Sequence, residues 1–375
     1  MTRRTIRIGL FLMTTLQWHC IQSYVSPFKS PVTGYLVVEG FIAANGPTNF
    51  TLTRSIPLPG DSTIPVVTGA QLQIEGSDNS IYPLAEVGNG KYLLSSISMS
   101  PTLRYRLRIS NVNHETYLSD FVPYKPTPPI DSVNWINSDT GVAIYVSTHD
   151  PTGNSRYYQW RYSETWEYTS SEQSGYVWQN DSLLVRLPQD QIYTCYHFDT
   201  SQVILIGTTD KLSQDLIFEQ PLVTIPKNTQ ALGIEYSALV SQYALTDSAY
   251  NYLSLMKGNT EQLGSIFDPL PSELTGNIHS LSNPGEQVIG YVSAGTIQQQ
   301  RIFISRSQVP GWLYYFECPT PDHKFVAEQD SEVFYFDYDG MVPVDLDNGV
   351  IVANYANCID CRIQGGTNQK PPFWP

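Results

Sequence analysis

Short runs that alternate apolar and polar residues, each closed by a turn cluster, constrain this chain more than any other feature. In Ala70-Gln71-Leu72-Gln73-Ile74-Glu75 the apolar side chains fall on one side and the polar ones on the other, the period of a half-buried strand. Residues 49–54 alternate likewise, residues 35–42 read as a buried strand, and residues 91–94, 105–109 and 115–118 follow. Ala44-Asn45-Gly46-Pro47, Gly76-Ser77-Asp78-Asn79 and Gly88-Asn89-Gly90 separate them with residues that favour turns. About seven short strands, each followed by turn chemistry, predict an Ig/transthyretin-like β-sandwich over residues 35–124.

A proline-rich stretch, Lys125-Pro126-Thr127-Pro128-Pro129-Ile130, predicts a stiff, extended linker over residues 125–130. The chain then reads as a second β-rich domain over residues 131–357, fibronectin-III-like. Tyr158, Trp160 and Tyr162 form one face of a strand, expected in the core, and Gln159 and Arg161 form the other. Residues 166–230 read as an insertion, and residues 234–245, 288–293 and 301–305 as strands. One helix is predicted over 247–257. Thr246 caps it, Asp247 complements its positive end, and Ala249, Tyr252, Leu253 and Met256 form one apolar stripe before Gly258. The expected fold is mainly β: two consecutive sandwiches, the second carrying this short helix, with residues 358–375 as a C-terminal tail.

The N-terminus predicts export. Arg3, Arg4 and Arg7 precede an apolar run over residues 8–16, too short to span a bilayer at about 20 residues but suited to a secretory leader. Cys20 stands at the expected cleavage point. Residues 1–19 therefore read as a lipoprotein signal peptide, Cys20 as the acylated residue and residues 20–34 as a tether without apolar periodicity. Trp18 and His19 are bulkier than the small residues usual there, and the alternative is ordinary cleavage with Cys20 free or paired. Lys and Arg number 21 against 35 Asp and Glu, a net charge of −14. That balance excludes a nucleic-acid binder and leaves a covalent lipid as the means of attachment to an outer membrane.

Cys195, Cys318, Cys358 and Cys361 are an even set in an exported chain, predicting two disulfides with three possible connectivities. The Cys358-Ile359-Asp360-Cys361 spacing lacks a thioredoxin-like βαβ setting and a second ligand pair for zinc. The preferred arrangement sends Cys358 and Cys361 back to Cys195 and Cys318 and pins the tail to the second domain.

No motif points to catalysis, a metal or a cofactor. The six histidines are scattered, without an H-E-x-x-H, and no G-x-S-x-G or Walker sequence occurs. His279-Ser280 reads as a turn rather than a nucleophile pair. Asp337-Tyr338-Asp339-Gly340 and Asp345-Leu346-Asp347-Asn348-Gly349 lack the remaining spacing of a calcium loop and read as hairpin turns. Trp166, Tyr168, Tyr176 and Trp178, around the polar run at residues 170–175, read as an exposed loop that contacts a partner. Phe373 and Trp374 are expected to dock on the body. Asn49-Phe50-Thr51 and Asn180-Asp181-Ser182 also match glycosylation acceptors, the signature of a different, eukaryotic secreted class.

Several segments resemble one family in order. They are Tyr35-Leu-Val-Val-Glu-Gly-Phe-Ile, Gln242-Tyr-Ala-Leu-Thr-Asp-Ser-Ala-Tyr-Asn-Tyr with Asn259-Thr-Glu-Gln-Leu-Gly-Ser-Ile-Phe-Asp-Pro, Thr275-Gly-Asn-Ile-His, and the C-terminus from Cys358 to Trp374. Over residues 20–375 the chain resembles the Bacteroidota lipoprotein family known as domain of unknown function 4249. That family usually has a cysteine where this chain has Ser280. The resemblance implies an outer-membrane lipoprotein, encoded beside TonB-dependent receptors, with no known reaction. The functional expectation is a non-enzymatic binding or accessory module for a TonB-dependent transporter or another outer-membrane barrel complex. The alternative is a surface-anchored hydrolase of an extracellular polymer with an acidic site.

Overall fold

A computed structural model describes residues 34–56, 63–261, 274–315, 318, 324–326 and 332–375. The leader, Cys20 and the tether as far as residue 33 lie outside the described residues. The chain is mainly β. It begins with β1 (Leu36–Ala43), β2 (Thr48–Arg54), β3 (Gln71–Gly76), β4 (Ile81–Gly88), β5 (Lys91–Leu94), β6 (Arg104–Ser110), β7 (Thr116–Ser119) and β8 (Val122–Lys125). Antiparallel pairing runs β6-β3-β4-β5-β2-β1, and both β7 and β8 lie on the far edge of β6. The alternation legible in residues 70–75 sends Leu72 and Ile74 into a core with Leu36, Val38, Leu107 and Ile109, where they meet Phe50, Tyr92 and Tyr105.

The chain then crosses to a second layer through residues 126–129, which are clamped rather than free. Thr127 Oγ1 donates to the Thr296 carbonyl at 2.5 Å and accepts from the Ala244 amide at 2.9 Å, and Gln242 Nε2 donates to the Pro128 carbonyl at 2.9 Å. The expected linker is thus a strap in which Thr127 and Pro128 are buried, their polar groups satisfied by neighbours. Beyond it lie β9 (Ile130–Ser138), β10 (Gly141–His149), β11 (Tyr157–Thr169), β12 (Tyr176–Gln179), β13 (Ser182–Val185), β14 (Thr194–Thr200), β15 (Leu205–Thr208), β16 (Leu216–Pro226), β17 (Glu235–Leu245) and helix α1 (Asp247–Glu261). One sheet runs β16-β10-β9, the other centres on β14-β11-β17, and β15 pairs with part of β11. Val142, Ile144 and Val146 of the first sheet meet Tyr158, Trp160, Tyr236, Ala238 and Val240 of the second in a shared core. Tyr158 and Trp160 are fully buried, as their alternation predicts, and Trp160 Nε1 donates to Gln242 Oε1 at 2.9 Å. α1 runs past Gly258 to Glu261, beyond the predicted end at 257. Its N-terminus is as read, with the Ala249 amide donating to Thr246 Oγ1.

The largest departure follows. β18 (Ile278–Ser280), β19 (Val288–Ile289) and β20 (Ala294–Gly295) return to the first unit. β20 lies parallel between β1 and β8, pairing Ala294 with both Ile42 and Tyr124. Because β8 already pairs with β6, the circuit β6-β3-β4-β5-β2-β1-β20-β8 closes into an eight-stranded barrel. Ile278, Val288, Val292 and Ala294 join its core. The predicted sandwich over 35–124 is therefore a barrel, completed by residues assigned from sequence to the second domain. A two-residue strand carries no periodicity, so nothing local reveals it. Gly295 is required at the closure, since a Cβ there would strike the Lys125 carbonyl oxygen. At the same corner Asn45 exchanges two hydrogen bonds with Ile297, at 2.8 and 2.9 Å.

β21 (Ile297–Ser305) then rejoins the second unit on the open edge of β17. The chain ends with β22 (Lys324–Val326), β23 (Met341–Asp347), β24 (Val350–Tyr355) and α2 (Ala356–Ile359). The predicted Asp345–Gly349 turn is the β23–β24 hairpin, with Asn348 and Gly349 at φ 51° and 84°.

Candidate functional site

A cleft of about 510 Å³ opens where the barrel, α1 and the second unit meet. Three walls build it. The outward side of β1 contributes Val37, Glu39 and Phe41, two of them apolar on a face that solvent would leave polar. The outer face of the second sheet contributes Gln159, Arg161 and Tyr243, which are aligned because Gln159 and Tyr243 are cross-strand partners. α1 contributes the stripe Ala249, Tyr252, Leu253 and Met256, and the returning segment adds Ile289, Gly290, Tyr291 and Ser293. Its volume lies within the range of small-molecule pockets, and its lining mixes apolar and polar surface in comparable parts.

The polar groups are specific. Arg161 Nη1 and Glu39 Oε1 form an ion pair at 3.0 Å across the mouth, linking second unit to barrel. Phe41 sets its edge against Tyr243, with centroids 5.0 Å apart. Burial pushes the Tyr243 phenol above its ordinary value. Tyr252 is 4 % exposed and its ring lies 5.5 Å from that of Tyr291. Its hydroxyl is closed off from solvent and meets no hydrogen-bond partner at full geometry. Burial raises the phenol to about 12, the Gly290 amide opposing part of that shift.

The stripe on α1 and the pair Gln159/Arg161 were legible in sequence as a packing face and a solvent face. That they converge on the barrel wall was not, because Glu39 and Phe41, which meet Arg161 and Tyr243, lie more than a hundred residues away in the chain. The aromatic residues expected to meet a partner do not form one surface. Tyr168 is buried and donates to the Cys361 carbonyl at 2.8 Å, so it is not available to a partner. Trp166 stands on a long strand, not a loop, stacked on His197 at 4.3 Å. Trp178 and Tyr176 lie half-buried in a separate hairpin, where Trp178 Nε1 donates to Asp337 Oδ1 at 3.1 Å.

The tail explains this. Disulfides join Cys195 to Cys361 and Cys318 to Cys358, so both cysteines of the C-x-x-C are held by the earlier pair. Trp374 docks between Tyr196 and Phe303 and donates to Glu167 Oε2 at 3.0 Å; Phe373 lies under the Arg301 guanidinium at 3.6 Å. His279 and Ser280 occupy β18 with opposite orientations; His279 approaches Asp120 at 3.4 Å while Ser280 Oγ accepts from the Asn283 amide. They form no nucleophile–base pair. Glu164 is a half-buried carboxyl raised by desolvation, with the Tyr236 hydroxyl opposing at 2.5 Å and Asp199 raising it further. It lies outside the cleft. Among the described residues no three His, Cys, Asp or Glu are grouped to hold a metal.

A family model described as domain of unknown function (DUF4249) matches residues 22–301. The chain belongs to this family. The matched span takes in the barrel, the strand that closes it, α1 and the first half of β21, hence every wall of the cleft. It stops short of the C-terminal tail, so the likeness read from Cys358 to Trp374 lies beyond it. No curated protein matches the chain. Among the described DUF4249 residues no helix is long and apolar enough to cross a membrane.

Proposed function

We propose that this DUF4249 protein is a non-enzymatic binding module tethered to the outer membrane through acylated Cys20, serving a TonB-dependent transporter or another outer-membrane barrel complex. The observation that carries the binding role is the cleft, a half-open recess of mixed apolar and polar lining whose walls come from two units and a helix. Such recesses between units are where small-molecule sites concentrate. The tether rests on the basic, apolar leader that ends at Cys20. A fibronectin-III-like sandwich is our reading of the second unit, supported by its two facing sheets around one core. Half-buried Trp166, Tyr176 and Trp178 remain the side chains we assign to partner contact, with Tyr168 removed.

The test is made on native protein from membranes. The N-terminal peptide is expected to begin at Cys20 and carry acyl mass. Affinity purification after cross-linking is expected to recover an outer-membrane barrel. An unacylated N-terminus elsewhere removes the tether, and recovery of no barrel removes the partner.

A further inference from the structure

We propose that the end of the barrel where the chain enters at Gly34 rests on the lipid surface, with Val66, Val87, Val112 and Leu281 set into its interfacial layer. This rests on the tether reading and deepens it by naming the face that the membrane meets.

Chain geometry selects this end. β1 and β7 begin here, and β2, β4 and β6 finish here. The second unit departs from the opposite end, where Ala43 and Lys125 both pair with Gly295. Cys20 precedes Gly34 by fourteen residues, a reach of at most about 50 Å when fully extended. The anchor therefore delivers this end to the lipid first.

Apolar exposure selects the same end. Among the described residues of the barrel and its flanking strands, the large apolar side chains left exposed are Tyr35, Ile64, Val66, Val87, Val112 and Leu281 here, and Ile81 at the other end. Val87 sits at a bulge between Glu86 and Gly88, outside the β4–β5 ladder. Asn111 Oδ1 accepts from the Asn113 and Glu115 amides, which leaves Val112 at the tip of the β6–β7 turn. It is 65 % exposed there, where turns ordinarily carry polar residues. Val112 lies against Gly69 and Val66 against Gly90, so the apolar positions run on from one loop to the next. Concentrated apolar exposure marks an interaction surface, and the point where the tether enters says that lipid covers it.

Charge does not supply the contact. Glu86, Glu115 and Glu286 share this end with Arg54 and Lys91. Glu86 accepts from the Gly69 amide, Glu286 from the Tyr117 hydroxyl, and Arg54 donates to the Gly34 carbonyl. Attachment by apolar burial in a zwitterionic interface persists in salt.

The test uses the mature chain from residue 21, held by an N-terminal hexahistidine on phosphatidylcholine vesicles with a sparse nickel-chelating lipid, so that it does not depend on acylation. The four cysteines after Cys20 are paired. Val87→Cys, Val112→Cys and Ile136→Cys therefore each offer one thiol for a nitrobenzoxadiazole dye. Ile136, exposed on β9 of the second unit, is the control. Labels at 87 and 112 should shift blue and be quenched by nitroxide-bearing phosphatidylcholine, in low and high salt alike, and the label at 136 should do neither. Val87→Asp combined with Val112→Asp should weaken vesicle binding at least about tenfold. The thermal midpoint should hold, since both side chains are exposed. Labels at 87 and 112 that stay in water, equal quenching at all three positions, or a double variant that binds as well as the parent overturns the proposal. So does shielding of 87 and 112 only when a co-purified outer-membrane barrel is added, which assigns the surface to a protein. The tether reading fails separately, on native protein whose N-terminus carries no acyl mass.

Discussion

The barrel and the second unit solve the same problem, the exposed strand edge, by different means. The barrel closes on itself through hydrogen bonds, and its last member, Ala294–Gly295, arrives from beyond the second unit. The second unit stays an open pair of sheets. A tail held by Cys195–Cys361 lies against it, and an isolated bridge pairs Tyr196 on β14 with Thr367. Closure removes edges outright, and covering one only hides it. The barrel thus depends on distant chain for its completeness, and the second unit on covalent staples for its cover.

That contrast can be broken at its strongest point by expressing residues 34–126 alone. Lacking β20 and the core residues Ile278, Val288 and Val292, this fragment is expected not to fold, giving collapsed amide proton dispersion and no cooperative melt. A cooperative melt would show that the barrel does not need its returning strand. Next in size is Trp160→Ala in the second unit, which removes a fully buried ring and its bond to Gln242. Urea unfolding should register a loss of about 3–5 kcal/mol. Replacing Cys195 and Cys361 together by Ala should cost about 2–4 kcal/mol, read in the same assay. Limited proteolysis should then cut within residues 361–375 while leaving the barrel resistant.

The smallest expected effect concerns pH. Burial holds the Glu164 carboxyl above its ordinary value despite the Tyr236 bond. An acid raised on folding contributes stability that is complete below its unfolded pKa and lost as pH rises through the folded one. Glu164→Gln keeps an acceptor for Tyr236 and cannot ionise. The variant should therefore gain on the wild type as pH climbs from about 4 toward 7, and equal slopes in the two proteins would remove the assignment.

Much of this architecture was legible locally. The period-2 runs marked β2 and β3, an apolar run marked β1, the alternation of Tyr158 and Trp160 marked a core strand, and Thr246 marked the start of α1. The cysteine set marked a stapled tail. The barrel's closure was not legible, because β18, β19 and β20 are two or three residues long and each is held by a partner distant in the chain. The cleft was hidden for the same reason. Val37 and Phe41 looked like one buried run with their neighbours, and Arg161 looked like a solvent residue. The aromatic cluster at 166–178 misled in the opposite direction, since spacing cannot show that a tail from residue 361 onward shelters Tyr168.

Sequence by itself determined the β character, the positions of several strands, the start of the helix and which cysteines staple, because these follow from periodicity, capping and composition within a short window. Tertiary structure alone decided that the first unit is a closed barrel, that its final strand is borrowed from after α1, and that a cleft lies at the junction. Those features depend on pairings between residues far apart in the chain, where backbone hydrogen bonds, rather than side-chain pattern, select the partner.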